Sequence, residues 1–196
     1  MPTSWRVSRA AMATISRLAI LVVATIAATL ALAAEPAPRR LGGVGFYNPR
    51  LMYLKYQPLV DYLSEVTGES WELVISPTYE AAVKSLCDGH LDLAYLGPFT
   101  YLRARELCGA EPMVRLETAG RSTFTSLLMV RDESPVRTVA DLAGRTVGFG
   151  ATLSTASYLV PLGMLDEAGV GRGCYGCRFH RHHEEAARAV LLGEVD

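Results

Sequence analysis

The stretch Trp71–Pro98, WELVISPTYEAAVKSLCDGHLDLAYLGP, contains a strand, a helix and a second strand in immediate succession. The apolar run Trp71–Ile75 predicts a buried strand. Thr78 is a suitable N-cap for a helix that ends at Gly89, and Leu91–Leu96 predicts the next strand. A β-α-β unit of this kind indicates a mainly parallel sheet that is covered on both faces by helices, and so an α/β fold.

The same alternation continues on both sides of this stretch. On its N-terminal side we predict a strand over Val44–Tyr47 and a helix that ends at Gly68. On its C-terminal side the pattern predicts a helix over Phe99–Leu107, extended segments around Met113–Leu116 and Phe124–Val130, a short helix capped by Thr138 with Asp141 three positions later, a buried strand over Thr146–Phe149, and a helix from Ser154 to Gly169.

The first 33 residues have the pattern of a secretory signal peptide. They contain three arginines and no acid, an apolar run over Leu18–Ala33, and a small-residue ending before Glu35-Pro36. An uncleaved N-terminal anchor is the alternative, and in either case we expect the rest of the chain outside the cytoplasm, in the periplasm. We therefore divide the chain into a signal peptide (1–33), a linker (34–40), a first α/β lobe (41–130) and an incomplete second α/β lobe (131–196).

The charge balance argues against a polyanionic partner. The 196 residues carry 19 basic and 20 acidic side chains, and without the leader the net charge is −4. Nucleic acids and anionic membranes are bound mainly through a surplus of lysine and arginine, which this chain lacks. We expect no nucleic-acid partner.

One segment of the chain repeats another without gaps. Glu80–Asp92 aligns with Glu184–Asp196, and both copies predict a helix, a glycine cap and the first step of a strand. In the first copy Asp92 leads into Leu93–Leu96, whereas the second copy ends at Asp196. We expect a chain that stops where a core strand begins, as a truncated reading frame would, while chance similarity between two alanine-rich helices is the alternative.

Two strand ends are candidates for a binding site. In the segment 148–157, GFGATLSTAS, a strand leads into a helix start that carries Ser154, Thr155 and Ser157. Backbone N–H groups and hydroxyls at such a position are suited to an oxyanion, although a plain N-cap is the simpler interpretation. Tyr95-Leu96-Gly97 ends the equivalent strand of the first unit, and ligands of open α/β sheets bind outside the carboxyl ends of strands. The sequence has no catalytic motif of the hydrolase-elbow type, so we expect no enzyme.

The four cysteines leave several alternatives open. Cys87 and Cys108 form a disulfide in one pairing, with a second bridge between Cys174 and Cys177, and an exported chain favours disulfides. The tract 174–183, CYGCRFHRHH, also has the residue types of a zinc site. Disulfides are the interpretation that we favour, and we expect no metal and no cofactor.

Three motifs together resemble the periplasmic phosphate-, phosphite- and phosphonate-binding proteins of ABC importers: 56–63 (YQPLVDYL), 92–98 (DLAYLGP) and 154–161 (STASYLVP). The resemblance covers roughly residues 41–196. It implies a two-lobed, type II periplasmic-binding-protein architecture that closes around an oxyanion. This chain departs from the family pattern at Ala156 and Ser157, where family members have a further Ser and a Gly, and family chains continue well beyond residue 196.

The resemblance also implies a ligand and a site. The Ser-Thr helix start grips the phosphonate oxygens, the Tyr-Leu-Gly-Pro turn supplies the facing wall, and a histidine reaches the same group. We expect a small phosphorus oxyanion as ligand, an ABC permease and ATPase as partners, and a monomer. An extracytoplasmic sensory domain and a secreted zinc-binding protein are the alternatives. The expected ligand-binding residues are Ser154, Thr155, Ser157, His183, Tyr95, Leu96, Gly97 and Tyr47.

Overall fold

The computed structural model describes residues 36–45 and 49–196. The signal peptide over residues 1–33 and the site residue Tyr47 lie outside the described residues, and both stay predictions. Residues Pro38–Asp196 form one compact unit. Its elements, in chain order, are β1 (Arg39–Val44), α1 (Pro49–Thr67), β2 (Trp71–Ser76), α2 (Tyr79–Cys87), β3 (Leu93–Tyr95), α3 (Pro98–Cys108), a 3₁₀ turn (Val139–Leu142), β4 (Thr146–Phe149), a π turn (Thr155–Leu159), α4 (Val160–Glu167), β5 (Gly176–Phe179) and α5 (His183–Leu191).

The first sheet has three parallel strands in the order β2-β1-β3. Alternate residues of the central strand β1 face opposite sides, as the pleat requires. Leu41 and Gly43 lie on the side of α1, together with Met52, whereas Val44 packs with Tyr79 of α2 on the other side. The sheet is therefore covered by helices on both faces, and the α/β prediction is confirmed for this part of the chain.

The second sheet consists of β4 and β5, which pair in parallel from Thr146–Gly176 to Phe149–Phe179. Its core is an apolar cluster that surrounds Phe149, whose side chain is 1% exposed. The sequence did not predict β5, because all four of its residues are exposed and they lie in a cysteine- and histidine-rich tract without apolar alternation. The two sheets are hydrogen-bonded separately, and the lobe boundary between residues 130 and 131 stays a prediction.

The repeat found in the sequence is also a repeat of structure. Asp92 receives a hydrogen bond from the N–H of Arg40 at 2.8 Å and donates its own N–H to the Arg40 carbonyl at 3.0 Å. Asp196 makes the same pair with Thr146, at 2.9 Å in each direction. Each aspartate also accepts from the arginine that precedes the paired residue, Arg39 or Arg145. The two segments are thus equivalent in structure, each holding the start of a parallel strand in place.

The residue bounds predicted for the linker and the first strand were wrong. Arg39 and Arg40 belong to β1 rather than to a flexible linker, and the strand ends at Val44 instead of beginning there. Both arginines are held by acids across the sheet, Arg39 by Glu69 and Asp92 and Arg40 by Glu72. These ion pairs allow the polar dipeptide Arg39-Arg40 to extend the strand. The low hydropathy of the dipeptide was therefore a misleading sign of a linker.

The extended segments predicted around Met113–Leu116 and Phe124–Val130 form no ladder in the described structure. They flank a turn in which Ala119 and Gly120 both have positive φ, and the pair Thr118–Arg121 closes that turn. Most of their apolar side chains are exposed, as with Val114 at 93%. A two-stranded ribbon whose apolar face is not covered by another layer is only marginally stable. The β propensity of these two segments was therefore insufficient to make them pair as strands.

One disulfide joins the first lobe's second and third helices. Cys87, at the end of α2, is bonded to Cys108, at the end of α3, with Cα atoms 5.4 Å apart. This pairing is the one that the sequence analysis considered for these two cysteines, and it is confirmed. Within the described residues no helix combines the length and the apolar character needed to cross a membrane.

Candidate functional site

The carboxyl ends of strands from both sheets meet in one region. The loop after β4 places Ala151 and Leu153 against the buried cluster of Val44, Tyr79 and Ala82 at the end of the first sheet. A hydrogen bond from the hydroxyl of buried Thr100 to the carbonyl of Leu153, at 3.1 Å, fixes the same contact. The two predicted halves of the site are therefore adjacent in space.

Ser154 forms the N-cap of the helical segment that follows β4. Its side-chain oxygen accepts the N–H of Ser157 at 3.2 Å, and the Oγ atoms of the two serines lie 2.7 Å apart. The N–H of Leu159 bonds the Ser154 carbonyl at 3.1 Å, a wider spacing than in an α-helix, so the first turn is a π turn. Ser154 is only 4% exposed, whereas Ser157 is half-buried. Among the hydroxyls of this turn, Ser157 is thus more accessible than Ser154.

Thr155 connects this helix start to the one in the first sheet. Its hydroxyl oxygen accepts the N–H of Phe99 at 2.9 Å, at the start of α3 directly after Gly97-Pro98. That N–H is one of the groups that a helix leaves unpaired at its N-terminus. The hydroxyl hydrogen of Thr155 is not used in this contact. The structure therefore places Thr155 against the helix start that follows Gly97-Pro98, and the role of these residues in binding a ligand stays a prediction.

Tyr95 lies at a different place from these hydroxyls. Its ring packs against Tyr56 of α1, with ring centroids 5.5 Å apart. Strand alternation directs Tyr95 to the α1 side of the sheet, together with Met52, whereas Ser154 lies near the α2 side. A direct role of the Tyr95 ring in the site stays a prediction.

The loop after β5 brings two neighbouring histidines to the same region. His182 Nδ1 lies 3.0 Å from the carbonyl oxygen of Gly45, which follows β1, so the tautomer with a proton on Nδ1 donates to that carbonyl. Burial, and then the neighbouring His182, lower the pKa of His183, which is half-buried. His183 is therefore favoured as a neutral imidazole near pH 7, when it has one N–H donor and one acceptor nitrogen.

Sequence reasoning missed two residues of this region. Tyr79 is 6% exposed and its hydroxyl hydrogen-bonds Ser154, and burial raises its pKa while that hydrogen bond acts in the opposite direction. His182 was assigned only to the cysteine- and histidine-rich tract. For Tyr79 the available signal was its place directly after the Thr78 cap, at the carboxyl end of β2, where a hydroxyl-bearing side chain reaches the strand-end region.

The cysteine- and histidine-rich tract forms neither the disulfide nor the zinc site that was considered for it. Cys174 and Cys177 are both free and exposed, so the predicted bridge between them is wrong. Cys177 belongs to strand β5, where it pairs with Val147 of β4. The described residues contain no group of three or more His, Cys, Asp or Glu side chains arranged to hold a metal ion. Alternation along the extended chain places Cys177 and His180 on opposite sides, since they are three residues apart.

Comparison with known proteins agrees with this architecture. Residues 41–196 match the family described as "ABC transporter, phosphonate, periplasmic substrate-binding protein". The phosphate-import protein PhnD of Mycolicibacterium smegmatis is 30% identical over 181 residues, which cover 86% of this chain and 53% of the relative. The chain thus spans about half the length of that curated relative.

Two solved structures show the same fold. A binding-protein component of an ABC phosphonate transporter from Pseudomonas aeruginosa aligns with a TM-score of 0.74 and 22% identity, over 83% of this chain and 56% of the other. A protein from Prochlorococcus marinus in complex with methylphosphonate aligns with a TM-score of 0.64 and 18% identity, over 83% of this chain and 62% of the other. The type II periplasmic-binding-protein architecture is confirmed, and this chain covers part of it. The chain belongs to the family of phosphonate-type periplasmic substrate-binding proteins of ABC transporters.

Proposed function

We propose that this protein binds a small phosphorus oxyanion, such as phosphate, phosphite or a phosphonate, in the periplasm and delivers it to an ABC permease and its ATPase. It acts by binding rather than by catalysis, and as a monomer. Membership of the substrate-binding family supports the role. The N-terminal pattern of a basic head and an apolar run supports export.

The observation that carries this proposal is the meeting of two helix starts through Thr155 and the N–H of Phe99. The positive ends of two helix dipoles converge there, which favours an anion. The loop 150–157 contains hydroxyls and no charged side chain. Such a site replaces the water around an anion with fixed neutral donors, and each hydrogen bond to a charged ligand contributes about 1.5–3 kcal/mol.

The expected ligand contacts come from both sheets. Ser154, Thr155 and Ser157 form the hydroxyl side, while Leu96 and Gly97 form the facing wall next to the start of α3. His183 donates from the loop after β5, and Tyr95 and Tyr47 complete the set. Thr155 both joins the two sides and has a hydroxyl hydrogen to donate, so it is the residue whose removal tests the arrangement most directly.

The test is isothermal titration calorimetry with inorganic phosphate, phosphite and methylphosphonate. The wild-type chain is expected to bind at least one of them at a single site. Thr155→Val, which keeps the side-chain shape, is expected to weaken that affinity by about tenfold or more. Thr123→Val is the matched control, because Thr123 is an exposed threonine directly before the segment Phe124–Val130, and it is expected to bind like the wild type. If the wild-type chain bound none of the three anions in a saturable way, the proposed function would be contradicted.

A further inference from the structure

Pro161, the second residue of α4, removes a backbone donor from the turn that carries the candidate hydroxyls. Proline has no backbone N–H. In an α-helix the N–H of residue 161 would donate to the Ser157 carbonyl, and in a π turn it would donate to the Ala156 carbonyl. Neither carbonyl can therefore be paired in this way.

The neighbouring backbone N–H groups do not replace the missing donor. In an α-helix the N–H of Val160 would donate to the Ala156 carbonyl, but here it donates to the carbonyl of Thr155. The N–H of Leu159 shows the same shift, because it donates to the Ser154 carbonyl at 3.1 Å. As long as the turn keeps this π register, the Ala156 carbonyl needs a donor from outside the helix.

Donors from two other parts of the chain reach these carbonyls. The hydroxyl of Ser126 donates to the Ala156 carbonyl, at a distance of 2.5 Å between the two oxygen atoms. The direction of this bond is fixed, because a carbonyl oxygen can only accept. The N–H of Gly150, in the loop after β4, donates to the Ser157 carbonyl at 2.9 Å. The Ser126 donor belongs to a side chain, so a substitution can remove it without changing the backbone.

Ser126 is directed to the turn by the extended segment Phe124–Val130. Alternate side chains of an extended chain point to opposite sides. Thr125 is exposed, whereas Ser126 and Leu128 are half-buried, and Leu128 packs against the apolar cluster around Phe149. Ser126 and Leu128 therefore face the second sheet and its core, and the segment holds the Ser126 hydroxyl against the turn.

We propose that Ser126 is a positioning residue for the oxyanion site, because its hydroxyl keeps the π turn in its observed register. The inference rests on the proposed function. Without this hydroxyl the Ala156 carbonyl is left unpaired in a half-buried turn, which is unfavourable. The N–H of Val160 can pair with it only by leaving the Thr155 carbonyl, and that exchange converts this part of the turn to the α register. Ser126 thus acts on the ligand through the backbone of the turn.

The register of the turn matters to an anion in two ways. It sets the relative positions of the Thr155 and Ser157 hydroxyls, which the proposed function assigns to the ligand. It also changes the backbone donors at the helix start. In an α-helix the N–H of Tyr158 would donate to the Ser154 carbonyl, whereas here that carbonyl accepts the N–H of Leu159. The π register therefore releases the Tyr158 N–H from that bond and adds it to the donors of the helix start.

Calorimetry on variants of Ser126 tests this inference. The dissociation constants of inorganic phosphate, phosphite and methylphosphonate are measured at a temperature below the thermal unfolding midpoint of every variant. We expect Ser126→Ala to weaken binding by about tenfold. We expect Ser126→Thr, which keeps the hydroxyl, to bind like the wild type. Thr125→Val is the control, because it removes a hydroxyl from the exposed neighbour, and it is also expected to bind like the wild type.

A crystal structure of Ser126→Ala reads the register directly. We expect the N–H of Val160 to donate to the Ala156 carbonyl in this variant instead of the Thr155 carbonyl. If Ser126→Ala bound like the wild type, if Ser126→Thr bound as weakly as Ser126→Ala, or if the turn of Ser126→Ala kept its π register, the inference would be overturned and the proposed function would stand. If the wild type bound none of the three anions, both would be overturned.

Discussion

At the scale of single residues, a few atoms with fixed hydrogen-bonding directions define the candidate site. The hydroxyls of Ser154 and Thr155 both accept backbone N–H groups, one from within its own turn and one from Phe99 in the other half of the chain. A hydroxyl that accepts from the protein keeps its hydrogen for another partner. The site therefore combines rigid oxygen positions with the hydroxyl hydrogen of Thr155, which its contact with Phe99 leaves available to an anion.

Gly150 is a residue-scale requirement for this arrangement. A Cβ atom at Gly150 would lie 2.0 Å from Ser157 Oγ and 2.8 Å from Ser157 Cβ. We expect Gly150→Ala to displace Ser157, to lower the free energy of unfolding by about 1–3 kcal/mol and to weaken anion binding. Gly163→Ala is the control, because Gly163 lies in α4 with open space around it, and alanine there should stabilise the helix by up to about 1 kcal/mol. Urea unfolding and calorimetry measure both effects, and equal behaviour of the two variants would contradict the prediction.

At the scale of elements, the disulfide Cys87–Cys108 joins the ends of α2 and α3, the two helices that present Tyr79 and Phe99 to the site. The bridge closes a loop of 21 residues in sequence separation. A constraint of that length on the unfolded chain contributes about 2–4 kcal/mol. We therefore expect Cys87→Ser with Cys108→Ser to lose about that much stability in urea unfolding.

The free cysteines provide the control for that experiment. Cys174 and Cys177 are exposed and unbridged, so replacing both with serine is expected to change the free energy of unfolding by less than about 0.5 kcal/mol. A reducing agent should destabilise the wild type and leave the Cys87/Cys108 double variant unchanged. Equal losses from both cysteine pairs would show that the bridge we describe is not the one that stabilises the protein.

The sequence was sufficient to predict the elements whose signals lie in neighbouring residues. The cap Thr78, the glycine with positive φ at Gly89 and the apolar run of β2 all lie within one unit, and the structure confirms them. The sequence was insufficient for β5, whose exposed residues have no pattern, and for the contact of Tyr79 with Ser154, which are 75 positions apart. That contact depends on how two sheets pack, which no local pattern encodes.

At the scale of the whole molecule, the two sheets share one feature, an aspartate that is hydrogen-bonded to the start of a parallel strand, Asp92 to β1 in the first sheet and Asp196 to β4 in the second. Side-chain and backbone hydrogen bonds from Arg39 and Arg40 lower the pKa of Asp92. The backbone hydrogen bond from Thr146, followed by that from the Arg145 side chain, lowers the pKa of Asp196. A depressed folded-state pKa means that each carboxylate stabilises the protein above the unfolded-state value of about 3.9 and ceases to do so as the pH falls through the folded-state value.

These two aspartate contacts predict how the free energy of unfolding depends on pH in the acid range. We expect Asp92→Asn and Asp196→Asn each to lower the free energy of unfolding at pH 7 by about 1 kcal/mol, the net value of a hydrogen bond of this kind at a partly exposed site. The losses should be additive in the double variant, because the two aspartates lie in separate sheets and share no partner. As the pH falls through the lowered folded-state pKa values, the wild type should converge on the double variant, since its own carboxylates are then protonated. Urea unfolding at pH 7, 5 and 3 measures this dependence. A wild type that keeps its full advantage at pH 3 would show that the two aspartates do not act through their charge.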